Sequence, residues 1–252
     1  MNTKTIKKIN QDFFKNWSSE MAYVLGFVVA DGCIIKRKNR ISSYVFNITS
    51  KDKSILLKIR EALDSDHPIG IKFNSQKLPY NQIQICDREI CRDLMSLGIC
   101  PRKTYNLKPI KVFDKYFPDY VRGFFDGDGS VYIQKVNRTL QIKSSFIGVS
   151  LPFIKDFNRR LCEALNIAEK SIHVQIDKRG KRVAQYNINF YIDDSEKLAK
   201  FMYGNNPTLY LKRKRDIFEK WKSIKRRHYI KRNYPSKIGW QLNQKIFSIK
   251  NI

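Results

Sequence analysis

The feature that most restricts the fold of this chain is an internal repeat. The stretch Tyr23-Val24-Leu25-Gly26-Phe27-Val28-Val29-Ala30-Asp31-Gly32 returns as Tyr120-Val121-Arg122-Gly123-Phe124-Phe125-Asp126-Gly127-Asp128-Gly129. Similarity continues beyond it: Phe46 to Ser50 resembles Phe146 to Ser150, and Glu61-Ala62-Leu63 recurs as Glu163-Ala164-Leu165. A tandem duplication of this kind calls for two similar halves, so the same order of elements is sought in both.

Each copy opens with a short helix that ends at the shared Asp-Gly. It starts near Ser18-Ser19-Glu20 in the first copy and near Pro118 in the second, where proline suits a first helical turn. Strands follow at Cys33 to Arg37 and Ser43 to Ser50, then a helix from Ser54 to Leu63. Two more strands, Ile69 to Asn74 and Asn81 to Cys86, precede a helix from Asp87 to Leu97. The second copy reads as strands Ser130 to Lys135 and Leu140 to Val149, a helix Pro152 to Leu165, strands Ile172 to Asp177 and Ala184 to Ile192, and a helix Ser195 to Tyr203. The expected class is α+β, with two tandem α-β-β-α-β-β-α units. Boundaries fall at 1–100 for the first repeat, 101–117 for a proline-containing linker, 118–210 for the second repeat and 211–252 for a basic extension.

The strands alternate apolar and polar residues, as a sheet with one packed face does. Ile83 and Ile85 alternate with Gln82 and Gln84, and Ile69, Ile71 and Phe73 with Lys72. Ile172, Val174 and Ile176 alternate with His173 and Gln175, and Tyr186, Ile188 and Phe190 with Asn187 and Asn189. A solvated sheet face would look similar, but charge favours a polyanion. The chain has 49 Lys+Arg against 23 Asp+Glu, a net +26, spread from end to end with amides and aromatic residues among the basic ones. That layout suits a long nucleic-acid footprint better than one amphipathic membrane-binding helix. Candidate DNA contacts are Lys36, Arg37, Lys72, Gln82 and Gln84 in the first copy. In the second they are Gln134, Gln141, Lys143, Gln175, Asn187 and Asn189, side chains able to match base edges in a major groove. No apolar run is long enough to span a membrane, and Met1 to Gln11 lacks the apolar core of a secretory signal. The expectation is an intracellular protein of the cytoplasm, nucleoid or an organelle, without membrane or small-molecule partners. Five cysteines without a C-x-x-C pair, and three separated histidines, read as reduced thiols and no zinc site.

Gly26 and Ala30 are one helical turn apart, as are Gly123 and Gly127. Small residues at this spacing let two helices approach backbone to backbone. If the two motif helices cross there, Asp31 and Asp128 meet at two negative dipole ends, where like charges repel. A divalent cation held by oxygen ligands resolves that conflict, and it is suited to phosphodiester hydrolysis. Asp31 and Asp128, with the adjoining Gly32 and Gly129, are therefore the candidate metal site.

Both stretches resemble the motif of the LAGLIDADG homing endonucleases, and the repeat from about Trp17 to Lys214 is similar to their single-chain, two-motif branch. The resemblance implies a pseudo-symmetric monomer with motif helices at the central interface and two antiparallel β-saddles on double-stranded DNA. It implies metal-dependent cleavage of both strands across the minor groove of a long site, leaving short 3′ overhangs. The cofactor expected is Mg²⁺, with Mn²⁺ substituting and Ca²⁺ supporting binding without cleavage. Asp31 and Asp128 match the last motif acids. The basic residues that the family places near the metals are carried over to Lys103 and Lys212 as catalytic candidates, and its polar, water-positioning residue to Ser50 and Ser150. Val29 departs from the motif where Asp126 keeps it, which implies asymmetry between the two sites.

The extension carries Lys220, Lys222, Lys225, Arg226, Arg227, Lys231 and Arg232 before a tail with Trp240, and so dense a like charge suits DNA backbone. No protein-splicing motif is apparent, so a free-standing or intron-encoded enzyme is expected. The competing reading is a silent DNA-binding regulator or an RNA-splicing maturase on the same scaffold. A ribosome-associated RNA-binding protein would explain the charge but not the paired Asp-Gly motifs.

Overall fold

A computed structural model describes residues 7–37, 44–176 and 184–233, excepting the side chains of 104–105 and 226–233. Ser43, Asp177 and Trp240 lie outside the described residues, as do the side chains of Arg226, Arg227, Lys231 and Arg232.

Helix α1 (Ser19–Asp31) begins where the Ser18 hydroxyl accepts from the Met21 N–H at 3.0 Å, a side-chain cap for an otherwise orphaned donor. Every residue from Met21 to Val29 is buried, as in a helix with neighbours on all sides. There follow β1 (Gly32–Lys36), β2 (Tyr44–Ser50), α2 (Lys53–Ala62), β3 (Ile69–Phe73), β4 (Pro79–Ile85) and α3 (Arg88–Ser96). The linker is structured: it holds α4 (Lys103–Asn106) and a 3-10 turn (Asp114–Tyr116). The second copy runs α5 (Phe117–Asp128), β5 (Gly129–Val136), β6 (Thr139–Gly148), α6 (Leu151–Ala164), β7 (Ile172–Gln175), β8 (Gln185–Tyr191) and α7 (Ile192–Tyr203), and α8 (Lys212–Asn233) extends beyond it. The fold is α+β, with the expected order of elements in both halves.

Each half holds a four-stranded antiparallel sheet, β1-β2-β4-β3 and β5-β6-β8-β7. Gly32 pairs with Ile48, and Gly129 with Phe146. Register therefore makes Phe146 the counterpart of Ile48, two places from the match that sequence similarity suggests. Asp52 stands at the N-cap position of α2, without a side-chain capping bond, and Ser150 caps α6, so by position Ser150 corresponds to Asp52 and not to Ser50. Helix α6 has 14 residues against 10 in α2. That extra turn brings Leu63 and Leu165 back to matching helix ends.

Ile34, Phe46, Ile48, Ile83 and Ile85 bury one face of the first sheet, and Ile142, Phe146, Ile188 and Phe190 that of the second. The outer strands depart from the expected pattern. Ile69 packs on the core, but Ile71 and Phe73 are 65% and 66% exposed, and Val174 and Ile176 are 55% and 71% exposed. The helical layer covers the central strands and stops short of these ends, so alternation there does not bring burial.

Helices α1 and α5 cross at the centre through their glycines. A Cβ on Gly26 would stand 2.1 Å from the Tyr120 carbonyl oxygen, and one on Gly123 2.0 Å from that of Tyr23. Only a missing side chain permits this backbone contact.

Candidate active site

The crossing fixes where the two motif acids go. Helix α1 ends at Asp31 and α5 at Asp128, and in each the following glycine N–H bonds back to the helix, Gly32 to Val28 and Gly129 to Phe125. A Cβ on Gly127 would meet the Ala30 Cβ at 2.1 Å and lie 3.5 Å from Asp31 Oδ2. The absence of that side chain lets the Asp31 carboxylate lie against the end of the opposite helix. Burial, and then the charge of Asp128, push the Asp31 carboxyl up to about 6. Asp128 reaches solvent more than Asp31 does, yet the packed helix ends around it still raise its carboxyl.

Two lysines oppose these acids. Lys103 in α4 donates to the Val29 and Ala30 carbonyls, the latter at 2.9 Å. Lys214, on the first turn of α8, donates to the carbonyls of Phe125, Asp126 and Gly129 at 2.5, 2.8 and 2.6 Å. Each ammonium thus caps the C-terminal end of a motif helix, where carbonyls lack partners and the dipole is negative. Burial lowers Lys214 to about 8 and lowers Lys103 as well. Lys212 is corrected: its side chain is 81% exposed and pairs with Asp216 at 2.6 Å, because the phase of α8 turns Lys214 inward and Lys212 out.

Of the remaining site candidates, Gly32 opens β1 opposite Ile48, and the Gly129 carbonyl already accepts from Lys214. Ser50 accepts from the Asp52 N–H at 3.1 Å, and Ser150 donates to the Leu107 carbonyl at 2.5 Å; both are engaged at helix starts. Thr49 stands nearer the first acid, its hydroxyl 3.4 Å from the Asp31 carbonyl. A cavity of about 190 Å³ beside Asp128 is lined by Ala30, Lys103, Ile147 and Gln185 among others. Gln185 was no candidate from sequence, although its place opposite Gln175 on the polar side of β8 was a signal.

Among the described residues no cluster of three or more His, Cys, Asp or Glu could hold a metal. Two carboxylates with backbone carbonyls fit Mg²⁺, which takes one or two protein carboxylates and completes its shell with water and phosphate oxygens. The donor set is all oxygen, and the raised carboxyls are what a cation would neutralise.

Strand register places the candidate DNA contacts. Cross-strand partners share a face. Asn47 pairs with Gln84 and Thr49 with Gln82, while Lys72 lies on the same open face through its partner Tyr80. In the second sheet Gln134 pairs with Gln141, Ser145 with Asn189, His173 with Asn187 and Gln175 with Gln185, and Lys143 faces Tyr132 and Tyr191. Arg37 reaches over this face to Cys86 Sγ at 3.1 Å. Lys36 is a correction: it pairs with Tyr44, in step with Ile34 and Phe46, so it points to the helical side. No described strand contains an Asp or Glu.

Residues 121–225 match the family model described as LAGLIDADG endonuclease. The structure resembles that of the LAGLIDADG homing endonuclease I-GzeII in complex with its DNA target, with TM-score 0.55 and 14% identity over 95% of this chain and 97% of that one. This chain has the LAGLIDADG fold. The LAGLIDADG meganuclease I-CpaMI bound to uncleaved DNA is similar at TM-score 0.53 and 15% identity, over 92% and 98% of the two chains. I-DmoI in complex with DNA and Ca matches at 0.51 and 15%, over 75% and 91%. Two uncharacterized proteins of Methanocaldococcus jannaschii are related in sequence. MJ0398 is 25% identical over 190 residues, 72% of this chain and 61% of that protein, and MJ0314 is 28% identical over 140 residues, 52% and 48%. The chain thus spans about six-tenths and half the length of these relatives. No helix among its described residues is long and apolar enough to cross a membrane.

Proposed function

We propose that this LAGLIDADG chain is a monomeric, site-specific DNA endonuclease that makes metal-dependent double-strand breaks with short 3′ overhangs. The observation that carries the reading is the convergence of Asp31 and Asp128 at crossed helix ends, each with a desolvated lysine beside it. The open sheet faces, free of acids, supply the path for the duplex on either side.

Asp31 and Asp128 would hold Mg²⁺, with phosphate oxygens and water as the other ligands. When bound, the metal supplies a water of lowered pKa and stabilises charge at the attacked phosphate. Burial lowers both Lys103 and Lys214, the latter to about 8, so each ammonium is positioned to donate toward the leaving oxygen or to order the attacking water. Arg37, Lys72 and Lys143 contact phosphate or guanine, and the amides read base edges. Helix α8 continues the basic surface, although Lys212 and Lys225 are paired with Asp216 and Glu196.

Selection of cleaved sites from a randomised duplex library in Mg²⁺ and in Mn²⁺ tests this reading. The selected site should be cut by the natural protein, while Asp31→Asn and Asp128→Asn each lose double-strand cutting and keep binding in Ca²⁺. Full cutting by either variant would overturn the assignment of the acids. Tight site-specific binding without cleavage in either metal would leave a silent regulator or a maturase as the function.

A further inference from the structure

The second motif contains one acid too many for a symmetric pair of sites. Asp126 is 1% exposed, and the matching residue of the first motif is Val29. Its Oδ2 accepts from the Tyr23 hydroxyl at 2.8 Å and from the Leu211 backbone N–H at 2.7 Å. Leu211 immediately precedes α8, and its carbonyl takes the first helical bonds, from the Lys214 and Arg215 N–H groups at 3.1 and 3.2 Å. A carboxylate on this N–H sets where α8 begins and how its first turn faces.

That first turn delivers Lys214 to the end of α5, where one of its three acceptors is the backbone carbonyl of Asp126 itself. Asp126 therefore grips both the root of α8, with its side chain, and the tip of Lys214, with its main chain. Among the described residues the first half shows no such device: Lys103 reaches Val29 and Ala30 from the four-residue α4. Buried acids are costly without donors, and among the described residues Asp126 Oδ1 has no hydrogen-bond partner. Both oxygens are enclosed between α1, α5 and α8, so Asp126 does not share the open corner of Asp128.

We propose that Asp126 is a positioning residue that seats Lys214, making the second half-site depend on a tether that the first lacks. The cutting consequence rests on the nuclease reading; the seating of Lys214 does not. Three measurements on the full chain separate them. In the unaltered protein the Leu211 amide should exchange with deuterium as slowly as the core amides of α5, and fast exchange would overturn the proposal without any variant. Under limiting acetic anhydride, Lys214 and Lys103 should both be protected in peptide mass maps. Asp126→Val, which installs the first motif's residue, should raise labelling of Lys214 at least about tenfold with Lys103 unchanged, and the more conservative Asp126→Asn should raise it less. Lys214 protection unaltered in a folded variant would overturn the proposal. On end-labelled duplex carrying the selected site, Asp126→Val should accumulate product nicked in one strand, the same strand that Lys214→Ala still cuts, while the other strand stays intact. Equal slowing of both strands would refute the half-specific role. Released Lys214 in a protein whose natural form never cuts would keep the seating and remove the nuclease.

Discussion

Asp31 carries a charge that the fold does not welcome. With its carboxyl pushed up to about 6 by burial and by Asp128, the folded protein binds this proton more tightly than the unfolded chain does. Its contribution to stability is therefore complete below the ordinary carboxylate pKa and is lost as pH rises through about 6. Asp31→Asn removes the charge, so in chelator at pH 8 the variant should melt higher than the natural protein, with the gap closing toward pH 4. A thermal melt series in pH, with and without Mg²⁺, checks this; equal melting at pH 8 in chelator would refute the strained-site account. The acids and their crossing glycines were legible because they sit in a repeated motif whose spacing is itself the geometry. The second lysine was not. Lys212, Arg213 and Lys214 are interchangeable as letters, and the phase of α8 that selects Lys214 is set by Asp126 meeting Leu211, 85 residues away.

The pair α1 and α5 positions both acids at once, so damage to their crossing differs from damage to either acid. A side chain on Gly123 would begin 2.0 Å from a backbone oxygen of α1, which no rotamer can avoid. Gly123→Leu should cost about 1–3 kcal/mol of stability or more and slow cleavage of both strands together. Thermal unfolding and strand-resolved cleavage measure the two effects; unchanged melting with intact cutting would mean that the helices do not meet here. Among the strands, alternation identified the open faces where helices cover the other side, and failed at Ile71, Phe73, Val174 and Ile176, where the cover ends. Ser50 and Ser150 looked equivalent because Phe-x-x-x-Ser recurs. Hydrogen-bond register and helix caps, which local similarity does not encode, pair Ser150 with Asp52 instead.

For the molecule as a whole, what matters about a net charge of +26 is its placement. Acids lie outside the described strands, and several are tied down elsewhere, as in Asp52 with Arg213 and Glu196 with Lys225. The open sheet faces therefore offer a polyanion no anions of their own. If about ten phosphates are neutralised, the logarithm of the binding constant should fall with the logarithm of salt concentration with a slope of about −9. A slope near −2, measured by titration in Ca²⁺, would assign the charge to another partner.

The two faces are alike in shape and unlike in chemistry, and that difference bears on the target. Beside the first acid, β1 presents the exposed Cys33 and Ile35 on the open face, with Gln82 and Gln84 of β4 beyond them. Such apolar groups suit thymine methyls. The second face carries Gln134, Gln141, Gln175, Gln185, Asn187 and Asn189, and amides pair best with the adjacent N6 and N7 of adenine. A symmetric scaffold with unlike faces should select a non-palindromic site whose half under β5–β8 is enriched in adenine on the contacted strand. Asn189→Ala should then relax the base preference at one position of that half by about 1–3 kcal/mol while leaving the other half unaffected. Sequencing of sites selected by the natural protein and by the variant reads both results: a palindromic consensus, or a preference relaxed equally in both halves, would show that the open-face amides do not set the target.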